Sequence, residues 1–248
     1  MPEVTPEETR AAVARSAQEP TEANQGQLNA VPERRRNPCP LGQGGCQKSE
    51  TTQMFTFPMI ALNLRPTLQL TDDVFEQLCR QNPDLRLERS AQGELIAMPP
   101  AGSETGYRNV DLLGQLWQWN RQMQLGVVFD SSAGFTLPNG AIRCPDAAWV
   151  AKSRWERLTP EQRRKFAPLC PDFVVELKSP TDDLATLQAK LQEYIDNGAQ
   201  LAWLIDPEAQ QVYSYCAGQT VQRIDHPEVL CADPVLPNFV MDFALIWS

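Results

Sequence analysis

Asp146 in PDAAWV, together with Glu176 and Lys178 in CPDFVVELKSP, has the residue types and spacing that metal-assisted hydrolysis requires. Side chains two apart on a strand point to one face, roughly 6.6 Å apart along it, so Glu176 and Lys178 share an environment. Two Pro-Asp pairs offer Glu176 a carboxylate partner. Asp172 lies four residues back on the same strand, about 13 Å away. That is too far to share one ion, because Mg²⁺–oxygen bonds are about 2.0–2.1 Å long. Asp146 belongs to the preceding strand, and pairing of the two strands would set it directly across from Glu176. The expected metal ligands are therefore Asp146, Glu176 and a backbone carbonyl such as that of Leu177. Such hard oxygens suit Mg²⁺ or Mn²⁺, which acidifies a water and offsets charge growing on a phosphate. Lys178 would orient or help deprotonate that water. A plainer reading makes Glu176 and Lys178 an ion pair at a sheet edge and Asp146 the cap of a turn.

The elements that must position these residues follow from periodicity. LTDDVFEQLCRQNP predicts a short amphipathic helix with Thr71 as N-cap. LRLERSAQGELIAMPP predicts a hairpin turning near Gln92–Gly93. A helix of about five turns starts near Ser103, with Val110, Leu113, Leu116 and Trp117 on one face. Short strands follow in GVVFDSSAGFTLP and RCPDAAWVA, then a small capped helix in TPEQRRKF, then the strand of Glu176. The next helix spans PTDDLATLQAKLQEYIDNG, capped by Thr181 or Asp182, with Leu184, Leu187, Leu191 and Tyr194 or Ile195 inward and Gly198 at its end. Two strands around Asp206–Pro207 and a further one in TVQRI complete the order, which implies an α/β (α+β) chain: a mixed sheet with helices on both faces. Trp117, Trp149 and Trp203 are expected in the core.

Composition narrows the chemistry. One histidine, His226, excludes three-His zinc sites and HExxH proteases, and no G-x-S-x-G elbow accompanies it, so carboxylates and lysine remain. Seven scattered cysteines without a C-x-x-C pair fit a reducing cytoplasm, and Cys39 with Cys46 is too few ligands for structural zinc. No apolar run reaches the roughly 18 residues of a membrane span, and no secretory pattern opens the chain, so a cytoplasmic protein away from membranes is expected. Residues 1–50, rich in Pro, Gln, Glu, Ala and Gly, read as a disordered tail with at most a short helix starting at Thr5 or Pro6, and residues 51–248 as one domain. The net charge of −9 opposes nucleic-acid binding. The stretch 152–165, with six basic and two acidic residues, runs the other way, and Arg154, Arg157, Arg163, Arg164 and Lys165 are candidate phosphate contacts beside Asp146.

The ordered set PDAAWV, PDFVVELKSPTDDLATLQAKLQEYIDNG and AWLIDPEAQQVYSY closely resembles the Uma-two family, a branch of the PD-(D/E)xK nuclease superfamily, over about residues 54 to 247. The resemblance implies a restriction-endonuclease-like fold, divalent-metal dependence and cleavage of DNA. It implies that Asp146 and Glu176 are the metal carboxylates. Many relatives have an apolar residue at the position of Lys178 and keep a lysine on the following helix, here Lys190. This chain has both, and either lysine can serve. Lys190 and Tyr194, four apart, share a helix face and can both reach the sheet. The superfamily often adds an acid from the first helix, for which Glu104 in GSETGY is the best match. Cutting both strands of a duplex calls for two sites, which makes a homodimer reasonable. The alternatives are a catalytically silent relative that binds nucleic acid or protein, and a metal-dependent phosphohydrolase acting on small substrates.

Overall fold

The structure, a computed structural model, describes residues 59–248. The expected tail over residues 1–50, its short helix and the Cys39–Cys46 pair lie outside them. In chain order the elements begin with β1 (Ile60–Leu62), α1 (Asp72–Gln81), β2 (Arg86–Arg89), β3 (Leu95–Met98), α2 (Ser103–Met123), β4 (Gly126–Asp130), β5 (Phe135–Thr136) and β6 (Ile142–Arg143). They continue with β7 (Ala147–Ala151), α3 (Lys152–Trp155), α4 (Pro160–Arg164), β8 (Phe173–Leu177), α5 (Leu184–Asp196) and β9 (Leu201–Asp206). The last are β10 (Gln211–Cys216), β11 (Gln222–Asp225), β12 (Val229–Cys231) and β13 (Val240–Asp242).

Continuous apolar strands need cover on both faces, and FVV of β8 and LAWLI of β9 obtain it at the centre of a six-stranded sheet ordered β11-β10-β9-β8-β7-β4. β8 and β9 pair in parallel because α5 carries the chain back between them, while the other neighbours in this sheet are antiparallel. The sheet is mixed and flanked by helices, as expected. A second, antiparallel sheet runs β1-β3-β2-β6-β5, and β12 with β13 forms a two-stranded ribbon.

Strand alternation sorts the large sheet into two cores. Trp149, Phe173, Val175, Trp203 and Ile205 face α2 and the C-terminal Phe239 and Phe243. Ala148, Val150, Val174, Ala202 and Leu204 face Leu191 and Tyr194 of α5, together with Phe135, Leu137 and Ala141. Positions 146, 176 and 178 fall in the same alternation as 148, 150 and 174, so Asp146, Glu176 and Lys178 belong to the α5 side.

Two local expectations are corrected. The inward stripe of α2 is Leu112, Leu116 and Trp119, whereas Val110 is 73% and Trp117 53% exposed. The helix has two apolar stripes, and the one whose Trp119 meets Trp149 edge to face and Phe239 at a tilt wins, with Trp119 Nε1 donating to the Pro237 carbonyl. Trp117 instead lies under the Arg121 guanidinium. The N-cap of α5 is Asp183, accepting from the Thr186 N–H at 2.8 Å, because Asp182 folds back to accept from the Ser179 N–H at 2.8 Å. Thr71 caps α1, Thr159 and Gln162 form a capping box on α4, and Gly198, at φ +108°, ends α5.

Candidate active site

Asp146 and Glu176 meet because of strand register. Ala147 of β7 stands opposite Val175 of β8 in an antiparallel pair, so one step outward sets Asp146 opposite Glu176 on the α5 side. A further step sets Pro145 opposite Leu177. Proline has no N–H, so it cannot satisfy the Leu177 carbonyl as a ladder partner would. The Leu177 N–H is taken by Asp146 Oδ2 at 2.9 Å. Within a strand the N–H and C=O of one residue point to the same side, which aims the Leu177 carbonyl at the end of β7 where Asp146 stands. The Pro-Asp pair thus removes a backbone donor and puts a carboxylate in its place.

Helix α5 supplies the other side. Lys190 and Tyr194, one turn apart, both reach Glu176 Oε1: the Lys190 Nζ lies 2.8 Å away and the Tyr194 hydroxyl donates at 3.1 Å. Both contacts fall on Oε1, leaving Oε2 without one among the described residues. Lys190 also lies 2.9 Å from Oε1 of Glu88 on β2, a residue 1% exposed. Glu88 further accepts from the Cys144 N–H at 2.9 Å and from Arg143 at 3.0 Å, and Arg143 reaches Glu193 at 2.6 Å. The small sheet, β8 and α5 are joined through this one buried network.

Its electrostatics are asymmetric. Burial would raise the pKa of Glu88, but the Lys190 and Arg143 cations outweigh it and hold that carboxyl below the usual range. Burial also drives Glu176 upward, Lys190 pulls it down, Asp146 and Glu88 repel its charge, and the result is a rise to about 7. Burial works against the charge on Lys190, yet Glu176 and Glu88 keep its pKa above the ordinary lysine value. Tyr194, raised well above its usual value by burial and then by the same two carboxylates, is a neutral donor. Glu176 therefore sits where one ammonium does not offset the carboxylates gathered around it.

That deficit is what a divalent cation fits. Among the described residues Asp146 Oδ1 meets only Arg86, at 3.5 Å, and Asp146 Oδ1, Glu176 Oε2 and the Leu177 carbonyl are the hard oxygens that could take an ion. Among the described residues no group of three or more His, Cys, Asp or Glu side chains is placed to hold an ion. An ion here would rest on two carboxylates, one main-chain oxygen and water, a ligand set suited to Mg²⁺. Cys144 and Cys170, whose pKa values burial pushes up to about 12, supply no thiolate.

The remaining candidates lie elsewhere. The Lys178 Nζ is 3.3 Å from Glu208 and 3.9 Å from Asp206, beyond the end of β8. Glu104 is exposed and pairs with Arg108 at 2.7 Å within α2. The expectation that the basic stretch lies beside Asp146 is corrected for its first part: Lys152–Trp155 follow the opposite end of β7, whose five residues span about 17 Å. There Arg154 pairs at 2.8 Å with Asp172. Arg163 covers Trp155, Lys165 lies 3.6 Å from Glu76, and Arg157 and Arg164 are exposed.

Asp172, 1% exposed, also accepts from the Ala151 N–H and from Gln200 at 2.8 Å each, so it ties β7, β8 and the start of β9 together. Asp172→Ala is expected to cost about 3 kcal/mol by urea unfolding, through unpaired buried donors, without changing the chemistry of the folded fraction. Glu88 and Arg143 belong to the site although nothing in the sequence singles them out. Their signal was slight: LRLERS alternates, and Glu88 sat on what reads as the polar face of a hairpin strand.

A family model named Uma2 and described as "Putative restriction endonuclease" matches residues 72–244. The chain is also similar to a solved structure from Anabaena variabilis described as "a putative nuclease belonging to DUF820", with a TM-score of 0.60 and 19% identity, covering 72% of this chain and 97% of that one. No curated protein matches it.

Proposed function

Because the chain belongs to the Uma2 family, whose model matches well over half its length, we propose that it is a Mg²⁺-dependent endonuclease hydrolysing phosphodiester bonds of DNA. The observation that carries the reading is the register that sets Asp146 opposite Glu176, with Lys190 at 2.8 Å from Glu176. Asp146, Glu176 and the Leu177 carbonyl would hold the ion. When bound, Mg²⁺ (or Mn²⁺) acidifies a water molecule and offsets charge that builds on the phosphate.

The chain's own residues do the rest. Lys190 keeps its proton at neutral pH and acts as a fixed cationic donor rather than a base. Two carboxylates hold its Nζ and leave a third N–H to meet a phosphate oxygen or the attacking water. Tyr194 fixes the Glu176 carboxyl through Oε1, which turns Oε2 outward. Glu88 is a positioning residue acting through Lys190. We assign the lysine role to Lys190 rather than Lys178 on these distances.

The reading extends to a cytoplasmic setting and a homodimer able to cut both strands. The five free cysteines among the described residues fit the former. No helix among the described residues is long and apolar enough to cross a membrane.

Incubation of purified protein with supercoiled plasmid tests the activity. Nicked and linear DNA are expected with Mg²⁺ or Mn²⁺ and intact plasmid with EDTA; equal cutting in both, or none in either, rejects the proposal. Proton and ion compete for Glu176, so Mg²⁺ affinity is expected to fall about tenfold per pH unit below the pKa near 7 and to level off above it. Calorimetric titrations between pH 5.5 and pH 8.5 read this directly.

A further inference from the structure

We infer that Arg86, on β2 two residues before Glu88, is the residue that grips the scissile phosphate. This rests on the nuclease reading and adds a substrate-binding group to it. Strand alternation puts Arg86 on the same face as Glu88, and therefore toward the carboxylates rather than toward α1. Its Nη2 lies 3.5 Å from Asp146 Oδ1, well beyond the roughly 2.7–2.9 Å of a charge-assisted hydrogen bond. Its Nε is buried and has no hydrogen-bond partner among the described residues. Nε and Nη2 form the side of the guanidinium that takes two oxygens of one anion, and here Nη2 reaches Asp146 only loosely while Nε beside it is orphaned among the described residues.

An orphaned buried donor beside a carboxylate is a cost to the free protein, and a substrate oxygen would remove it. The other long cation of the site differs in this respect. Lys190 is held by two carboxylates at 2.8 and 2.9 Å, while Arg86 is one-third exposed in its side chain and among the described residues has only the long contact. It can therefore turn to an incoming group without dismantling the network. Phosphate is the fitting partner, because it presents paired oxygens to the fork and brings negative charge to a guanidinium held only by one long contact among the described residues. Arg86 thus supplies local attraction at the reacting group that a chain of net charge −9 lacks overall.

The test compares wild type, Arg86→Ala and Arg86→Lys in three measurements. These are Mg²⁺ binding by calorimetry, binding of a short DNA duplex in Ca²⁺ by fluorescence anisotropy at several salt concentrations, and plasmid cleavage in Mg²⁺. Arg86→Ala is expected to bind Mg²⁺ at least as tightly as wild type, since a cation beside Asp146 is gone. Its kcat/KM should nonetheless fall about a hundredfold, and its DNA binding should lose about one unit of salt slope. Arg86→Lys, which keeps the charge and loses the fork, should recover only part of the activity and decides the matter if the alanine variant does not fold. Cleavage by both variants within a few-fold of wild type overturns the inference alone. So does loss of Mg²⁺ binding along with activity, which would make Arg86 a support for Asp146. A wild type that neither binds Mg²⁺ nor cuts DNA overturns the nuclease reading, and this inference with it.

Discussion

Glu176→Gln is expected to abolish Mg²⁺-dependent plasmid cleavage while leaving the metal-free protein as stable as wild type, or more stable, above pH 7. The glutamine is isosteric and keeps an oxygen for Tyr194 and Lys190, so the packing of a 4% exposed side chain is preserved. What disappears is the negative charge. Without it the ion loses one of two side-chain ligands, and a loss of at least about a thousandfold in rate is expected, roughly 4 kcal/mol of transition-state stabilisation. Stability moves the other way. The folded-state pKa of Glu176 is raised from the ordinary 4.5 to about 7 by burial and by repulsion from Asp146 and Glu88. Its contribution is full below the unfolded value near 4.5 and is lost as pH rises through about 7. Glutamine resembles the protonated form and escapes that loss. Denaturant melts in EDTA at pH 5 and pH 8.5 should show a wild-type decline that is smaller in the variant. A variant destabilised equally at both pH values would mean that Glu176 is a structural group.

Lys190→Met should be inactive and less stable, whereas Lys178→Met should cut DNA at a rate within about tenfold of wild type. Removing Lys190 leaves Glu176 and Glu88 buried without the cation they share, and breaking a buried pair in this way costs about 3–5 kcal/mol. A second change separates folding from chemistry. In Lys190→Met with Glu88→Gln the surplus charge is gone, so unfolding experiments should show recovered stability, while the missing ammonium keeps cleavage absent. Lys178 meets Glu208 and Asp206 at the ends of β8 and β9, and its loss removes one exposed pair and one long contact. If Lys178→Met were the inactive variant and Lys190→Met the active one, the lysine assignment would be reversed.

What the chain shows of this site in its sequence is what lies on neighbouring strands. Asp146 and Glu176 are legible because a β-strand has a fixed period and two adjacent strands align, and the same period separates Asp172 from the site. Lys190 and Tyr194 are legible as a helical pair, though which strand they reach is not. Glu88 was not legible. It precedes Lys190 by 102 residues, and only the docking of the small sheet against α5 brings the two within 2.9 Å. The alternation of LRLERS specifies a face and not what will cover it. The same limit applies to the inward face of α2. Two apolar stripes compete on that helix, and the choice rests on Trp149 and Phe239, which approach from distant parts of the chain. Nearness in sequence to Asp146 says little about where Lys152 and Arg154 lie, because a strand of five residues carries them to the far end of β7.

Whether Asp146 and Glu176 share one divalent ion is tested most directly by a crystal of the protein soaked in Mn²⁺ and measured for anomalous scattering. One peak is expected, within bonding distance of an oxygen of Asp146, an oxygen of Glu176 and the Leu177 carbonyl, and absent from crystals of Glu176→Gln. Mn²⁺ bound only elsewhere, with Lys190 and Arg86 left as the sole cations at the two carboxylates, would contradict a shared ion.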